Sequence, residues 1–154
     1  MPVSVGVNYL SVVHATSNGV TIAFPDVCKT PAPPAPPIPI PYPNIAKSSD
    51  TAKGAKKVKC DGNPVCVKDS NFMMSTGDEA GALLGIASSK IKGKAEFVNF
   101  SFDVQIEGKN VPRAFDMMLH NDKNTPPVPV LQGPVVAVPG PPVEPKCLVC
   151  DKKF

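Results

Sequence analysis

The segment that most constrains the fold runs from Phe24 to Asn44, FPDVCKTPAPPAPPIPIPYPN, in which nine of 21 residues are proline. Proline fixes φ and removes the backbone donor, so this segment is predicted to be neither helix interior nor central strand. We expect an extended, polyproline-like rod. Because Ile38, Ile40 and Tyr42 are apolar, the rod is predicted to pack or dock, with Ile40 and Tyr42 largely buried, and not to act as a linker.

Length and composition predict one domain with a modest core, because the 154 residues are 42% hydrophobic and 19% charged. The formal net charge is +3, but the lysines are scattered and Arg113 is the single arginine. Nucleic acid binding usually needs a basic stripe, so it is not expected. The chain shows no secretory signal and no apolar run long enough for a membrane anchor, which predicts a cytoplasmic protein before any export.

Two segments are predicted to form β-hairpins. Val58–Val67 alternates apolar and polar residues around Gly62-Asn63, and Phe100–Val111 does so around Gly108-Lys109. Glycine at the first turn position predicts type II′ turns. Helix signals are weak, since the best candidate, residues 78–89, is interrupted by glycine. The chain is therefore predicted to be mainly β with little helix.

The two hairpins form an internal repeat with an offset of 46 residues. This offset places Val58 on Val104, Cys60 on Ile106, Asp61 on Glu107, Gly62 on Gly108 and Val65 on Val111. A third, degenerate copy is predicted at Asn18-Gly19-Val20. Three similar hairpins in a small chain predict pseudo-threefold winding around a common core.

The proline-rich motif carries a resemblance to a known family. Residues 24–31 (FPDVCKTP), 39–46 (PIPYPNIA) and 48–50 (SSD), followed by Leu119-His-Asn121, closely resemble the PAAR-like, "PIPY"-type proteins of bacterial type VI secretion. The resemblance covers roughly residues 8–121. It implies a small conical β-hairpin-repeat domain, which we place at residues 1–124, with a Pro-rich C-terminal strap at 125–154.

The resemblance also implies a function. The protein would be a non-enzymatic tip that caps and sharpens the trimeric VgrG-type spike of a contractile injection machine, as one copy per trimer. It would help to deliver a separate effector or its adaptor, and the machine would export it without a signal peptide. The residues expected to form the binding surface belong to the proline-rich motif: Phe24, Pro39, Ile40, Pro41, Tyr42 and Pro43.

Related tip proteins hold zinc with mostly histidine ligands, but this chain has only His14 and His120. Cys147-Leu-Val-Cys150 is a C-x2-C pair whose spacing suits one tetrahedral ion. Two further ligands would come from His14, Cys28, Cys60, Cys66 and His120. We predict zinc bound by Cys147 and Cys150 with Cys28 and His120.

Two other functions are compatible with the sequence. Residues 32–43 contain P-x-x-P spacing, so they could make a cytoplasmic interaction module that docks to a polyproline-reading domain. A small toxin enzyme could use Cys28 as nucleophile. The common catalytic motifs are missing from the sequence, and we therefore expect a stand-alone tip without enzymatic activity.

Overall fold

The computed structural model describes residues 3–133, and these residues form short β-strands and one long hairpin. The mainly β fold predicted from the sequence is confirmed. In chain order the strands are β1 (Gly6–Val7), β2 (Leu10–Ser11), β3 (Val20–Ala32), β4 (Ala35–Lys47), β5 (Thr51–Ala52), β6 (Lys59–Cys60), β7 (Asn63–Pro64), β8 (Asn71–Phe72), β9 (Ser75–Thr76), β10 (Ala95–Phe97), β11 (Gln105–Ile106), β12 (Lys109–Asn110), β13 (Met117–Leu119) and β14 (Val128–Pro129). One 3₁₀ turn lies at Ser48–Asp50. None of these elements is a helix long and apolar enough to cross a membrane.

The proline-rich segment from Phe24 to Asn44 forms most of both strands of a long antiparallel hairpin. Strand β3 pairs with β4 from Val20↔Lys47 to Ala32↔Ala35. The prediction of a solvated polyproline rod is therefore wrong, and the segment lacks the polyproline helix that proline-reading domains bind.

Alternation explains how a proline-rich segment can be a strand. Prolines occupy every second position of β4 from Pro37 to Pro43, and the residues between them keep their N–H groups. Successive residues of an antiparallel strand point their backbone groups to opposite sides, so the donors can face β3 while the prolines face the open edge. Strand β9 joins β4 only at Ile45 and Ala46, where the alternation has ended.

Among residues 3–133, the segments outside this hairpin cover its root. The loop at residues 83–86 runs beside β3, with Lys29 N donating to Leu84 O at 2.9 Å and Leu83 N donating to Lys29 O at 3.0 Å. Ile40 and Tyr42 are half-buried and Ile38 is exposed. Ile40 and Tyr42 are thus buried in part, as predicted, but not completely, because the hairpin projects beyond the loop that packs against it.

Three short hairpins form the predicted repeat, but their turns differ from the prediction. Pairing of Cys60 with Asn63 and of Ile106 with Lys109 centres the turns on Asp61-Gly62 and Glu107-Gly108. All four turn residues have positive φ, between 50° and 81°. This is the type I′ geometry and not type II′, because both central residues are left-handed.

The third copy lies at the N-terminus and not at Asn18-Gly19. Val7 pairs with Leu10, and the turn residues Asn8 and Tyr9 have φ of 50° and 66°. Asn18-Gly19 precedes the long hairpin instead, and Gly19 packs against Gln132 and Ser48. A tyrosine is not expected in a left-handed turn, so the sequence did not indicate Tyr9. The third copy was therefore predicted at Asn18-Gly19, a dipeptide that is typical of such turns.

Two apolar clusters form the core. The first gathers the three hairpins, with Val12, Val65 and Val111 all fully buried. The second lies under the five-stranded sheet β14-β13-β10-β8-β5, where Phe72 and Phe97 meet edge to face at 5.7 Å. Burial of these side chains is the main favourable term for so small a domain.

Candidate functional site

The three short hairpins are equivalent in detail. The same backbone bond recurs in each: Val12 N donates to Val5 O at 3.1 Å, Val65 N to Val58 O at 3.4 Å, and Val111 N to Val104 O at 3.3 Å. The donors are the three fully buried valines of the first core cluster. A pseudo-threefold arrangement therefore exists within one chain, as the repeat predicted.

Each hairpin turn bonds to the start of another hairpin, and the three joints close a ring. Asn8 Nδ2 donates to Asp103 Oδ1 at 3.0 Å. The carboxylate of Asp61 accepts from Ser4, from N at 3.1 Å and also from Oγ. Glu107 Oε1 accepts from Lys57 N at 2.5 Å. We call this set of three hairpins, residues 3–12, 56–65 and 102–111, the hairpin ring.

The joint carboxylates are held in their charged form. Hydrogen bonds from Ser4 lower the pKa of Asp61, and those from Asn8 lower the pKa of Asp103. Backbone N–H groups at Lys56 and Lys57 lower the pKa of Glu107. Hydrogen bonding to a carboxylate favours the ionised state. The ring is therefore joined by charge-assisted bonds at neutral pH.

Three valines lie at equivalent positions of the three hairpins, and we call the surface that they form the apolar level of the ring: Val5, Val58 and Val104. Val5 and Val58 are 36% and 37% exposed, and Val104 is partly buried. Phe102 beside this level is 89% exposed. Such an exposed apolar set at symmetric positions is typical of an interaction surface.

A second candidate site is a buried polar centre at the root of the long hairpin. Asp26 is fully buried and accepts from three amide groups: Asn44 Nδ2 at 2.6 Å, Asn121 Nδ2 at 3.4 Å, and Asn124 Nδ2. The thiol of Cys28 also donates to Asp26, at 3.7 Å. The centre joins strand β3 to strand β4 and to the segment after β13.

Asp78 completes the centre from the loop that covers it. Lys92 N lies 3.1 Å from both carboxylate oxygens of Asp78. Burial raises the pKa of Asp78 to about 6. Burial, with Asp26 and Asp78 as nearby charges, raises the pKa of Cys28 to about 12. The centre therefore resists carrying three negative charges by itself.

Asp26, Cys28 and Asp78 could hold a metal ion. One ligand atom from each lies within 4.8 Å of the others, and all three residues are buried. Zinc accepts thiolate and carboxylate ligands, and a divalent cation would compensate the charge that raises these pKa values. Asn44 Oδ1, on the amide that donates to Asp26, is buried without a partner within residues 3–133. The donor set therefore fits zinc.

The structure places the described residues that were predicted to bind metal in different surroundings. His120 does not belong to the ligand group around Cys28. The Nε2 atom of His120 lies 3.1 Å from Thr21 Oγ1, and burial lowers its pKa to about 4. His14 bonds Asp61 at 3.1 Å, and Cys60 lies in the ring core. Cys147 and Cys150 lie outside the described residues, so their predicted role stays a prediction.

The predicted binding residues all lie on the long hairpin. Phe24, Pro39, Pro41 and Pro43 are exposed, whereas Ile40 and Tyr42 are half-buried. Tyr42 Oη is 2.6 Å from Thr30 Oγ1 across the hairpin. Sequence analysis missed the ring joints, although the offset of 46 already aligned Asp61 with Glu107. It also missed the three asparagines around Asp26, because side chains so distant in sequence give no local signal.

Comparison with known proteins bears on the predicted activity. The chain is 44% identical over 126 residues to the DNase toxin Tse7 of Pseudomonas aeruginosa, a match that covers 77% of this chain and 33% of the relative. This chain thus spans about a third of that relative's length. The prediction that the protein is not an enzyme is overturned, because this relative is named for an enzymatic activity.

A known domain family also matches most of the chain. No solved structure matches this chain. Residues 19–127 match the toxin PAAR-like domain, a span that contains the long hairpin, the buried polar centre and two of the three ring hairpins. On that match the chain belongs to the toxin PAAR-like domain family.

Proposed function

We propose that this chain is the spike-tip part of a toxin that a type VI-like contractile machine delivers. The observation that carries the proposal is the closed hairpin ring, in which one chain repeats the same hairpin three times and bonds each turn to the start of another hairpin. A trimeric spike ends in three identical surfaces. One ring can meet all three surfaces in nearly the same way, which favours one copy per trimer.

The apolar level of the ring is the surface that we assign to the spike. Val5, Val58 and Val104 occupy equivalent positions, and Phe102 is exposed beside them. Burial of these side chains against a blunt apolar spike end would contribute roughly 25 cal/mol per Å². The proline edge of β4 is a poorer docking edge, because alternate residues lack the N–H that strand addition needs.

The activity of the relative suggests what the machine would deliver. We infer that the protein takes part in DNA degradation in the target cell, and that the portion shared with the DNase toxin serves delivery. The support is the 44% identity over 126 residues together with the match to a toxin domain family. Export would follow loading of the spike and would need no cleaved signal.

We further infer that zinc can occupy the buried polar centre, held by Asp26, Cys28 and Asp78. The ion would act as a structural cross-link between the long hairpin and its covering loop. Elemental analysis of protein purified without added metal should show about one zinc per chain. Cys28→Ser should lower that content, and a zinc-free wild-type protein would contradict the inference.

The spike proposal is tested by co-expressing the chain with a VgrG-type trimer from the same cell. Light scattering of the purified complex should give the mass of one chain per trimer. Val58→Glu should abolish the complex, because it places a charge on the proposed apolar surface. Ile22→Glu changes another exposed apolar residue, on β3, and is the control.

Two results would contradict the proposal. One is a complex with three chains per trimer, since the internal ring would then have no counterpart in the spike. The other is loss of binding with Ile22→Glu and not with Val58→Glu, which would place the interface on the long hairpin.

A further inference from the structure

One cavity collects lysines from four separate parts of the chain. Its volume is about 740 Å³, and the lysines that line it are Lys53, Lys56, Lys68, Lys109 and Lys123. These residues are spread over 71 positions of sequence, so they form no basic run. Nucleic acid binding was not expected from the sequence because the lysines are scattered, but the fold brings these five together.

The carboxylates of the same cavity are already engaged. Asp69 lies 2.7 Å from Lys109 Nζ, and Glu96 lies 2.5 Å from Lys94 Nζ. Glu107 accepts the backbone N–H groups of residues 56–58 as a joint of the hairpin ring. Within residues 3–133 the other four lysines of the cavity form no ion pair: Lys53, Lys56, Lys68 and Lys123.

Apolar and aromatic groups form another part of the wall. Phe97, Val98 and Phe100 line the cavity, and Lys68 Nζ lies 5.8 Å from the centroid of the Phe100 ring. Ammonium groups beside aromatic rings are the combination that binds single-stranded nucleic acid, with phosphates on the cations and bases on the rings. An acidic peptide would use the ammonium groups but would gain little from the apolar wall.

We propose that this lysine cavity binds the phosphate backbone of a single-stranded nucleic acid. A duplex is a stiff, convex rod with a persistence length of about 150 base pairs, so it does not bend its phosphates into a concave site of this size. An unpaired strand can bend its backbone into the cavity and turn its bases toward Phe100. The proposal does not depend on the spike-tip function, because the cavity residues are not the apolar set that we assign to the spike.

The first measurement is fluorescence anisotropy of a labelled 12-nucleotide single-stranded DNA titrated with the protein. Four lysines that each neutralise one phosphate predict a slope of log K against log salt near −2.8, and about a 50-fold loss of affinity between 50 and 200 mM salt. The matching duplex should bind more weakly. Polyglutamate at equal charge should not displace the strand.

Two sets of variants distinguish binding at the cavity from a general effect of net charge. Replacing Lys53, Lys56, Lys68 and Lys123 together by Gln should abolish binding. The matched control replaces four exposed lysines outside the cavity, Lys29, Lys47, Lys57 and Lys59, and changes the net charge by the same amount. This control should bind DNA with less than a threefold loss. Each single cavity change should reduce the salt slope by about 0.7.

All eight side chains are exposed, so both variants should fold, and their thermal melts can be compared directly with that of the wild type. The proposal fails if the wild type shows no binding, if both variants lose affinity equally, or if polyglutamate competes as well as DNA. Spike binding should be unchanged when only Lys53, Lys68 and Lys123 are replaced by Gln, because none of these three residues lies in the hairpin ring. Failure of one proposal is therefore distinguishable from failure of the other.

Discussion

The hairpin ring and the buried polar centre hold the same small domain together by different means. The ring repeats one local motif three times around an apolar core, and its polar joints lie at the surface. The centre places two buried carboxylates together, and one of them, Asp26, accepts from the amides of Asn44, Asn121 and Asn124. Three equivalent hairpins thus share the stabilisation of the ring, whereas three amide groups of the centre share the single acceptor Asp26.

This contrast has an energetic consequence. A repeated apolar core spreads burial over equivalent positions, so that each position contributes a similar share. A buried polar network concentrates the loss of folding free energy at one residue, because removal of one acceptor leaves several donors unpaired. Substitutions at equivalent core positions of the ring should therefore cost similar, moderate amounts of stability, whereas loss of Asp26 in the centre should cost much more.

The largest effect is expected for Asp26→Ala. Removal of the carboxylate takes an acceptor from Asn44 and Asn121, which are both fully buried, and from Asn124. Unpaired buried donors cost about 1–3 kcal/mol each, so we expect a loss of about 3–4 kcal/mol in the free energy of unfolding. Urea denaturation measures this loss.

Asp26→Asn is the matched control for this prediction. It preserves the shape of the side chain and one acceptor oxygen, so the loss should be clearly smaller than for alanine. A loss below about 1 kcal/mol for Asp26→Ala would show that water satisfies the amides, and the proposed contrast between the two regions would not stand.

The second effect tests whether the ring is truly threefold. Val12, Val65 and Val111 are equivalent and fully buried. Each Val→Ala change removes two methyl groups from the core and should cost about 2 kcal/mol, with the three values within ~0.5 kcal/mol of one another. Val58→Ala, on the exposed level, should cost much less. Unequal losses among the three valines would mean that the hairpins share a backbone geometry but do not contribute equally to stability.

The same contrast explains what the sequence could predict. Two of the three hairpins were found because a turn and its flanking strands lie within ten residues, where glycine and alternation are informative. The copy at Asn8-Tyr9 was missed because its left-handed turn contains no glycine. The long hairpin was missed because proline is a poor strand former in general, although alternate prolines suit an open edge.

The functional centres were less predictable than the elements. Cys28 was identified as a candidate ligand, but its neighbours Asp26 and Asp78 are 52 positions apart in sequence. His120 was paired with Cys28 on chemical grounds, whereas packing directs its Nε2 atom to Thr21. Such non-local choices depend on how the loops cover the long hairpin, and no local pattern encodes them.

The smallest effect is a pH dependence that has opposite signs in the two regions. Ring carboxylates such as Glu107 have folded pKa values below their ordinary values of 3.8 or 4.5. Their stabilisation is present at neutral pH and is lost as the pH falls through the folded pKa. Burial raises the pKa of Asp78 from 3.8 to about 6, so its contribution is largest in acid and falls as the pH rises between these values.

Urea denaturation midpoints of the zinc-free protein, measured from pH 3 to pH 8 with a chelator present, separate the two contributions, because a bound zinc would keep Asp78 ionised. Asp78→Asn cannot ionise and keeps an oxygen for Lys92 N, so it should gain stability relative to the wild type as the pH rises from 4 to 6. Glu107→Gln should flatten only the acid limb below about pH 4.5. If Asp78→Asn instead leaves the slope between pH 4 and 6 unchanged, the carboxyl group is ionised throughout that range. The centre would then hold its charges by the same charge-assisted bonding as the ring joints, and the two regions would differ only in burial.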